Sequence, residues 1–518
     1  MASAIAQDDV SDSASGNRRW ANLALLALPI VVLLAVYHGT LDAWWMADDS
    51  MHLLSVARYG VIAHFVQPLE ALQLSPSNLT PWLYASYAID FALGGLDPRI
   101  AYAHHLVSWS LALVALTFAL RRLLPPTATA GVLVAFLLAV PTSTVVLLLC
   151  TRQYIEGLLA ATLCVVAYAR HRRHGRRADL LLSSACYAWA MSAKEIYVPL
   201  GPLLILHHAI FDDHASALVA VRATLREGIS RLWLACRALW PYVGLAGAYV
   251  VYRGYMLGFS RLLAGYDNQP QWRTRPAMLL DLPAAWEWAC GWKRWQSIAW
   301  LLLVLAGTAL WLARVERGRR ERIVVFCAAI VIAIFAPLYP VLGVVIAYHL
   351  NTHYLMLPLL AFFTLAGWAS MQCVVALTAH SAVRLRSPFA LHCARIALSA
   401  LLVALMTGQF ISARHSAWPW TWDVAIAQYR AEGRFELYAD DHALILDAIG
   451  PSWHHYGLQH LRALVLHQPP GPQACAQADC DAAAARQRER GGSCVRYDAA
   501  FERLDAAACV PSAADASR

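Results

Sequence analysis

Apolar runs of about 20 residues recur along the chain and are separated by polar segments rich in arginine. The first run covers residues 20–40 and follows Arg18 and Arg19, and later runs end at basic segments such as 170–177 and 314–322. Only helices and closed barrels satisfy backbone polar groups in lipid, and alternating strands of about ten residues are absent from the pattern. We therefore predict an all-α polytopic membrane protein with about eleven transmembrane helices.

The strong arginine clusters all fall on one side of the membrane under this count, which is typical of cytoplasmic loops. One such loop, after the sixth predicted span, contains Arg222, Arg226, Arg231 and Arg237. The amino terminus is then expected in the cytoplasm and the carboxyl terminus in the periplasm of a bacterial inner membrane. The predicted parts are a disordered tail (1–17), a transmembrane domain (18–413) with two large periplasmic loops (42–103 and 258–297), and a small periplasmic domain (414–518).

Composition agrees with this topology. The chain is 59% hydrophobic and 14% charged, whereas soluble proteins carry about 25% charged residues. The net charge of +8 lies in short arginine clusters between apolar runs, and no basic domain with interleaved aromatic residues occurs. The partner that this pattern indicates is the lipid bilayer, and nucleic acid is not expected.

Cysteine usage gives an independent indication of sidedness. Of the 12 cysteines, eight are scattered through the apolar part, where they act as small packing residues. The other four lie in the polar carboxyl-terminal segment. An even set of this kind predicts two disulfides in an oxidising compartment, with three pairings open. The candidates are Cys475, Cys480, Cys494 and Cys509.

Two adjacent carboxylates, Asp48 and Asp49, follow the first span, at the start of a loop rich in tryptophan, tyrosine and histidine. Two apolar pieces of this loop, 51–66 and 81–93, are interrupted by polar residues and predict helices lying in the membrane interface. One acidic residue at such a point serves as a helix cap. A pair favours a general base with an orienting partner that activates an acceptor hydroxyl, and Asp48 is the preferred base by position.

Other motifs follow this acidic pair in a consistent order. They are Pro-Trp-Leu-Tyr at 81–84, Gly-Gly-Leu-Asp-Pro at 94–98, Ala-Met-Ser-Ala-Lys-Glu at 190–195 and His-Leu-Asn-Thr-His-Tyr-Leu-Met-Leu-Pro at 349–358. Together they resemble the GT-C superfamily of glycosyltransferases, in particular the protein O-mannosyltransferase and lipid A aminoarabinose transferase type. The resemblance covers roughly the first 370 residues.

The resemblance implies a hexosyl- or pentosyltransferase that takes a sugar from a polyprenyl-phosphate donor to a periplasmic protein, lipid or glycan, with inversion. Asp48 or Asp49 would be the base. No cofactor is required with certainty, and a divalent cation is left open. The residues expected at the donor phosphate are Lys194, His353 and Arg152, with Glu195, His52 and Tyr354 as supporting residues.

Each of these residues also has a purely structural interpretation. Lys194 is one of only two lysines, which favours a specific role, but an interfacial lysine paired with Glu195 is common at helix ends. His353 stands where the family often has arginine, and neutral histidine is a weaker phosphate ligand. Arg152 and Glu156 are spaced for an ion pair along one helix.

Two other functions remain open at this point. A transporter or flippase of lipid-linked substrates would need charged residues deep inside several spans, whereas the acids here gather at one face. An envelope polysaccharide polymerase or ligase would use arginines of a large outer loop, such as Arg273 and Arg275. The tail histidines His454, His455, His460 and His467 lack a nearby acidic or thiolate set and do not predict a metal site.

Overall fold

The protein is described by a computed structural model. It describes residues 22–43, 45, 48–74, 78–211, 225–261, 274–348, 351–383, 393, 396, 400–411, 444–446, 478–491, 494–498 and 503–507. Within these residues, five helices are long and apolar enough to cross a membrane, and the number rises to eight if each of three bent pairs is one span. The helical polytopic fold is confirmed, whereas eleven complete spans are not found in the described part.

Nine helices follow one another in the described residues up to Ala193. They are α1 (Asn22–Asp42), α2 (Asp49–Val66), α3 (Pro68–Leu74), α4 (Pro81–Gly94), α5 (Pro98–Leu120), α6 (Pro126–Leu137), α7 (Val140–Leu147), α8 (Gln153–His174) and α9 (Arg177–Ala193). The helices α2 and α4 correspond to the two interfacial helices predicted in the first loop. The helix α3 between them was not predicted.

The second half of the membrane part continues the helical pattern. Its helices are α10 (Leu200–Phe211), α11 (Leu225–Ala238), α12 (Trp240–Leu257), α13 (Leu282–Cys290), α14 (Arg294–Leu312), α15 (Arg317–Phe335), α16 (Leu342–Tyr348), α17 (Met356–Val383) and α18 (Ala400–Ile411). Short 3-10 turns connect several of them, at Leu149–Thr151, Glu195–Tyr197, Phe259–Arg261, Pro276–Asp281, Tyr339–Val341 and Thr352–Leu355.

The third predicted span, residues 129–149, is broken rather than continuous. The helices α6 and α7 meet at a bend of 67°. Pro141 stands in the first turn of α7, where it has no N–H to donate to the preceding turn. The bend therefore follows from Pro141, which the hydropathy pattern alone does not distinguish from the residues of a continuous span.

The first-loop helices pack on the membrane part through a buried aromatic and aliphatic cluster that includes Trp45, Tyr84, Tyr87 and Tyr102. The turn from α4 to α5 is defined locally. Gly95 ends α4 at a positive φ of 58°, which glycine adopts without steric cost. The Asp97 carboxylate then caps α5 by accepting the Arg99 backbone N–H at 3.0 Å.

A helical hairpin, α8 with α9, brings two distant parts of the sequence to one end of the fold. Gly175, at a φ of 65°, terminates α8 in the left-handed conformation and allows the chain to reverse. Arg170 and Asp179 form an ion pair across the turn at 3.3 Å. The amino end of α8 and the carboxyl end of α9 consequently lie beside each other at the opposite end of the hairpin.

The carboxyl-terminal segment contains a small sheet that the sequence did not predict. Strand β1 (Leu444–Leu446) pairs in parallel with β2 (Cys494–Asp498), which pairs antiparallel with β3 (Arg503–Ala507). A further helix, α19 (Ala478–Glu489), contains Cys480. Cys494 is disulfide-bonded, and the pairing among the tail cysteines stays a prediction. Cys475 and Cys509 lie outside the described residues.

Candidate active site

The adjacent acids of the first loop occupy the amino end of α2 but differ in environment. Asp48 is the N-cap residue, yet its side chain makes no capping hydrogen bond and is exposed. Asp49, the first helical residue, is 0% exposed. The residue Asp48 as a whole is exposed, while neighbouring protein atoms desolvate its carboxyl group and raise its pKa above the ordinary 3.8. A side-chain cap of α2 does not account for Asp48, because it makes no capping hydrogen bond.

Asp49 is held from the neighbouring helix α4. The Tyr87 hydroxyl donates to Asp49 Oδ1 at 2.6 Å. Burial raises the pKa of Tyr87 well above 10, so its hydroxyl stays protonated and remains a donor. The Arg152 guanidinium lies over the same tyrosine ring, 4.6 Å from its centroid. Tyr87 thus connects the acidic pair to the amino end of α8.

Arg152 is 0% exposed and its guanidinium is engaged within the protein. It forms an ion pair with Asp90 of α4 and donates to Ser86 Oγ at 3.1 Å and to the Ala101 carbonyl at 3.4 Å. Burial is the largest single influence and raises the pKa of Asp90, but the charges and hydrogen bonds of Arg152 and His104 together outweigh it and lower the pKa of this carboxyl. Arg152 pairs across helices here, and this geometry disfavours a direct contact between Arg152 and a donor phosphate.

Glu156, one turn along α8, is bound by neutral donors of α4. Trp82 Nε1 donates to Glu156 Oε2 at 2.8 Å, and Ser86 Oγ donates to Oε1 at 2.8 Å. His104 Nδ1 lies 2.7 Å from Asp90 Oδ1, which closes the network on the side of α5. The sequence analysis missed Asp90, Ser86 and His104 because their roles depend on contacts between helices.

Lys194, at the carboxyl end of α9, is only 3% exposed. Its Nζ donates to Asn78 Oδ1 at 3.0 Å, lies 4.0 Å from Glu195 Oε2, and stands 5.4 Å from the centroid of the Tyr154 ring. Burial is the main cause that lowers the pKa of Lys194. Because its ion pair with Glu195 is long, the Lys194 ammonium can bind a further anion.

Arg253 completes this group from α12. Its Nη1 lies 3.6 Å from Glu195 Oε1, and the residue is 8% exposed. Arg253 lies within the apolar helix α12, and no role was predicted for it from the sequence. A charged residue within an apolar segment is a signal of a functional or paired position, and this signal could have identified it.

His353 and Tyr354 lie in the 3-10 turn that precedes α17. The His353 ring is 5.2 Å from the Tyr154 ring and 4.6 Å from the Tyr354 ring. His353 Nδ1 is buried and has no hydrogen-bond partner among the described residues. His349, the other histidine of this motif, lies outside them. Tyr154 therefore contacts both Lys194 and His353, so these predicted phosphate residues are brought together.

His52 and His64 face the same aromatic surface beside the acidic pair. Gly60 interrupts α2 at a φ of 72° and turns its second part, so that His64 stacks on Tyr84 at 3.9 Å. The His52 ring is 5.3 Å from the Tyr84 ring. Burial lowers the pKa of His64 to about 4, so this histidine is neutral at ordinary pH. The predicted supporting residue His52 thus lies next to the acids, and His64 was missed.

The two groups of charged residues flank one helix end. Arg152 and Tyr154 begin α8 and contact the acidic side and the lysine side respectively. Trp82 and Trp189 pack edge to face at 5.3 Å and join the same two sides. Within the described residues, no group of three His, Cys, Asp or Glu side chains could hold a metal ion. The arrangement can accept a proton at Asp48 and stabilise an anion near Lys194.

Comparisons with known proteins leave the chain without an assigned family. No protein-family model matches the sequence, and no curated protein matches it significantly. Among solved structures, the fold is similar to the crystal structure of ArnT from Cupriavidus metallidurans bound to undecaprenyl phosphate. The identity is 12%, the TM-score is 0.47, and the match covers 92% of this chain and 93% of that one. A likeness at this level assigns neither a family nor an activity.

Proposed function

We propose that the protein is a membrane glycosyltransferase that moves a sugar from a polyprenyl-phosphate donor to a hydroxyl acceptor at the periplasmic face of the inner membrane. The observation that carries the proposal is the placement of two residues on two sides of the α8 amino end. One is Asp48, which is exposed and whose side chain makes no capping hydrogen bond, and the other is the buried Lys194. The interfacial helices α2 and α4 lie beside this end, where a lipid-linked donor would present its phosphate.

Asp48 is the proposed general base. The residue is exposed, and its raised pKa brings it closer to neutral pH, where a general base acts most effectively. Asp48 takes the proton of the acceptor hydroxyl while the hydroxyl oxygen attacks the anomeric carbon. The bond from that carbon to the phosphate oxygen breaks, and polyprenyl phosphate leaves with the electron pair. A single displacement of this kind inverts the configuration.

Asp49 is proposed to position Asp48 rather than to act on substrate. It is fully buried and committed to the Tyr87 hydroxyl, so an acceptor cannot reach it. Its charge at the first turn of α2 interacts favourably with the helix amino end and helps to hold that turn in place. The pair therefore divides into an exposed base and a buried anchor.

Lys194 is the proposed electrostatic partner of the donor phosphate. The leaving phosphate gains negative charge as the sugar departs, and a nearby ammonium stabilises that charge. His353 would add a hydrogen bond from its ring, since Nδ1 has no partner among the described residues. Arg152 serves instead as the buried counter-ion of Asp90, which keeps α4 and α8 in register.

The decisive experiment compares Asp48→Asn with wild type and with Asp42→Asn, an exposed acid at the end of α1. Each variant is expressed in a strain that lacks the gene, and envelope glycans are compared by mass spectrometry. Asp48→Asn is expected to reduce the transferred sugar by about 100-fold or more, as loss of a general base does. Asp42→Asn should resemble wild type. A normal glycan profile from stably inserted Asp48→Asn protein would refute the proposal.

A further inference from the structure

The helix α11 has one strongly apolar face that the protein does not cover. Ile229, Leu232 and Trp233 recur at helical spacing and are 60%, 44% and 60% exposed. Trp240, at the start of α12, is 68% exposed. The sequence analysis had assigned this region to a loop between two spans. Exposed large side chains in this number indicate contact with another apolar phase.

The rest of α11 is held against the protein. Ala235 is 1% exposed and packs in a cluster with Leu204, Leu239 and Tyr242. The apolar face is therefore not a packing defect in a loosely attached helix. It is presented outward by a helix that is fixed on another side.

The direction of α11 indicates which phase it contacts. The helices α11 and α12 meet at a bend of 86°. The exposed residues of α12, such as Val250 and Val251 at 47% and 61%, form an apolar surface suited to lipid. A helix perpendicular to a membrane-crossing helix lies in the plane of the bilayer, where one face meets acyl chains and the other meets head groups.

The polar side of α11 is basic. Arg226, Arg231 and Arg237 accompany a single acid, Glu227. The Arg237 guanidinium lies 5.8 Å from the centroid of the Trp233 ring, so cation and indole share one edge of the helix. Arginine beside tryptophan at the border of an apolar face is the arrangement suited to the anionic head-group layer of a membrane.

We infer that α11 is a membrane-surface helix that inserts Ile229, Leu232 and Trp233 among lipid acyl chains and binds anionic phospholipid head groups with its arginines. The occupant of the uncovered face is thus the bilayer, not a second protein. This surface is separate from the acid and lysine groups and does not depend on the proposed transferase activity.

Site-specific photocrosslinking tests the apolar part of this inference. A genetically encoded benzophenone amino acid replaces Ile229 or Leu232, and in a matched control it replaces Ser230, which is exposed and carries no apolar contact surface. The full-length protein is placed in vesicles of about three parts phosphatidylcholine to one part phosphatidylglycerol. Intact mass should reveal lipid adducts at 229 and 232 and few at 230. Equal labelling at all three positions, or crosslinks to another protein chain, would overturn the inference.

The lipid class of the adducts tests the charge. Phosphatidylglycerol should be enriched at position 229 about threefold over its share of the vesicle. Arg226→Gln, Arg231→Gln and Arg237→Gln combined should abolish this enrichment and keep the adducts themselves. Arg121→Gln with Arg122→Gln, exposed arginines at the end of α5, should leave the enrichment unchanged. Adducts that match the bulk lipid ratio in the unaltered helix would contradict the assignment of an anionic partner.

Discussion

Two groups of charged side chains meet at the amino end of α8, and they are satisfied to different degrees. We call Asp49, Tyr87, Asp90 and Arg152 the acid cluster. Its members are at most 2% exposed, and each contacts another member directly. Of the three guanidinium nitrogens of Arg152, only Nε has no hydrogen-bond partner in the described part of the chain. This group is closed, and a ligand could not enter it without breaking existing contacts.

We call Asn78, Lys194, Glu195 and Arg253 the lysine cluster. Its ion pairs are longer, 3.6 Å and 4.0 Å, and Glu195 Oε2 is buried without a hydrogen-bond partner in the described part of the chain. Burying these charged groups costs free energy that their long ion pairs do not fully offset. An anionic ligand would offset part of this cost. The acid cluster therefore holds the helices together, whereas the lysine cluster is suited to binding an anionic ligand.

The largest effect should come from breaking the acid cluster. Asp90→Ala leaves the Arg152 charge buried and unpaired, which is expected to lower the free energy of unfolding by about 3–5 kcal/mol. Glu195→Gln in the lysine cluster should cost less, because its ion pairs are longer, 3.6 Å and 4.0 Å, and the new amide oxygen can still accept hydrogen bonds from Lys194 and Arg253. Thermal unfolding in detergent measures both variants. Similar losses would show that the two clusters do not differ as described.

A smaller effect is expected when one hydrogen bond of the acid cluster is removed. Tyr87→Phe removes one hydrogen-bond donor to the buried Asp49 carboxylate and should lower the free energy of unfolding by about 1.5–3 kcal/mol. Tyr102→Phe is the matched control, because the Tyr102 hydroxyl donates to the Leu147 carbonyl over a longer distance, 3.4 Å. A loss for Tyr102→Phe as large as that for Tyr87→Phe would indicate general packing damage.

The lysine cluster is tested by binding instead of stability. Lys194→Gln should weaken binding of a polyprenyl phosphate, the proposed donor carrier, about tenfold, or 1.4 kcal/mol. Its unfolding midpoint should stay equal or rise, because a buried ammonium is removed. Lys293, the other lysine, is exposed, and Lys293→Gln should bind normally. Native mass spectrometry reports the bound lipid. Unchanged affinity of Lys194→Gln would remove Lys194 from the phosphate site.

The last prediction concerns pH and the histidine beside the acids, and its effect is small at any pH above the ordinary pKa of histidine. The folded-state pKa of His64 is about 4, against an ordinary value of 6.5. The unfolded chain therefore binds more protons in this window, and stability falls as the pH drops from about 6.5 towards 4, by at most about 1.4 kcal/mol per pH unit. His64→Gln should flatten this dependence, and His38→Gln, an exposed histidine, should not. An identical slope in both variants would exclude His64 as the source.

Part of the site was predictable because it depends on local sequence. The helix over 51–66, the acids at its amino end and the unusual Lys194 follow from hydropathy, from helix-end chemistry and from the scarcity of lysine. The division of labour within the acidic pair did not follow. Asp48 and Asp49 are equivalent in the sequence, and only the position of Tyr87 on another helix makes one buried and the other accessible.

Other features depend on contacts that no local pattern encodes. Arg152 seemed spaced for Glu156, but Asp90 of α4 lies closer to the guanidinium and takes the ion pair. Arginines 226, 231 and 237 were interpreted as topology signals of a loop, although their spacing with Ile229 and Trp233 is helical. An amphipathic period is therefore present in this part of the sequence, and it predicts a helix where the charge pattern alone indicates a loop.

The sequence by itself determined that this chain is a helical membrane protein, because long apolar segments can satisfy their backbone hydrogen bonds in lipid only by becoming helices. It also determined that most charged residues lie at the ends of those segments. The tertiary structure decided which charges meet. Pairing depends on the bend at Gly60, the turn at Gly95 and the hairpin of α8 and α9, which bring side chains far apart in sequence within hydrogen-bonding distance.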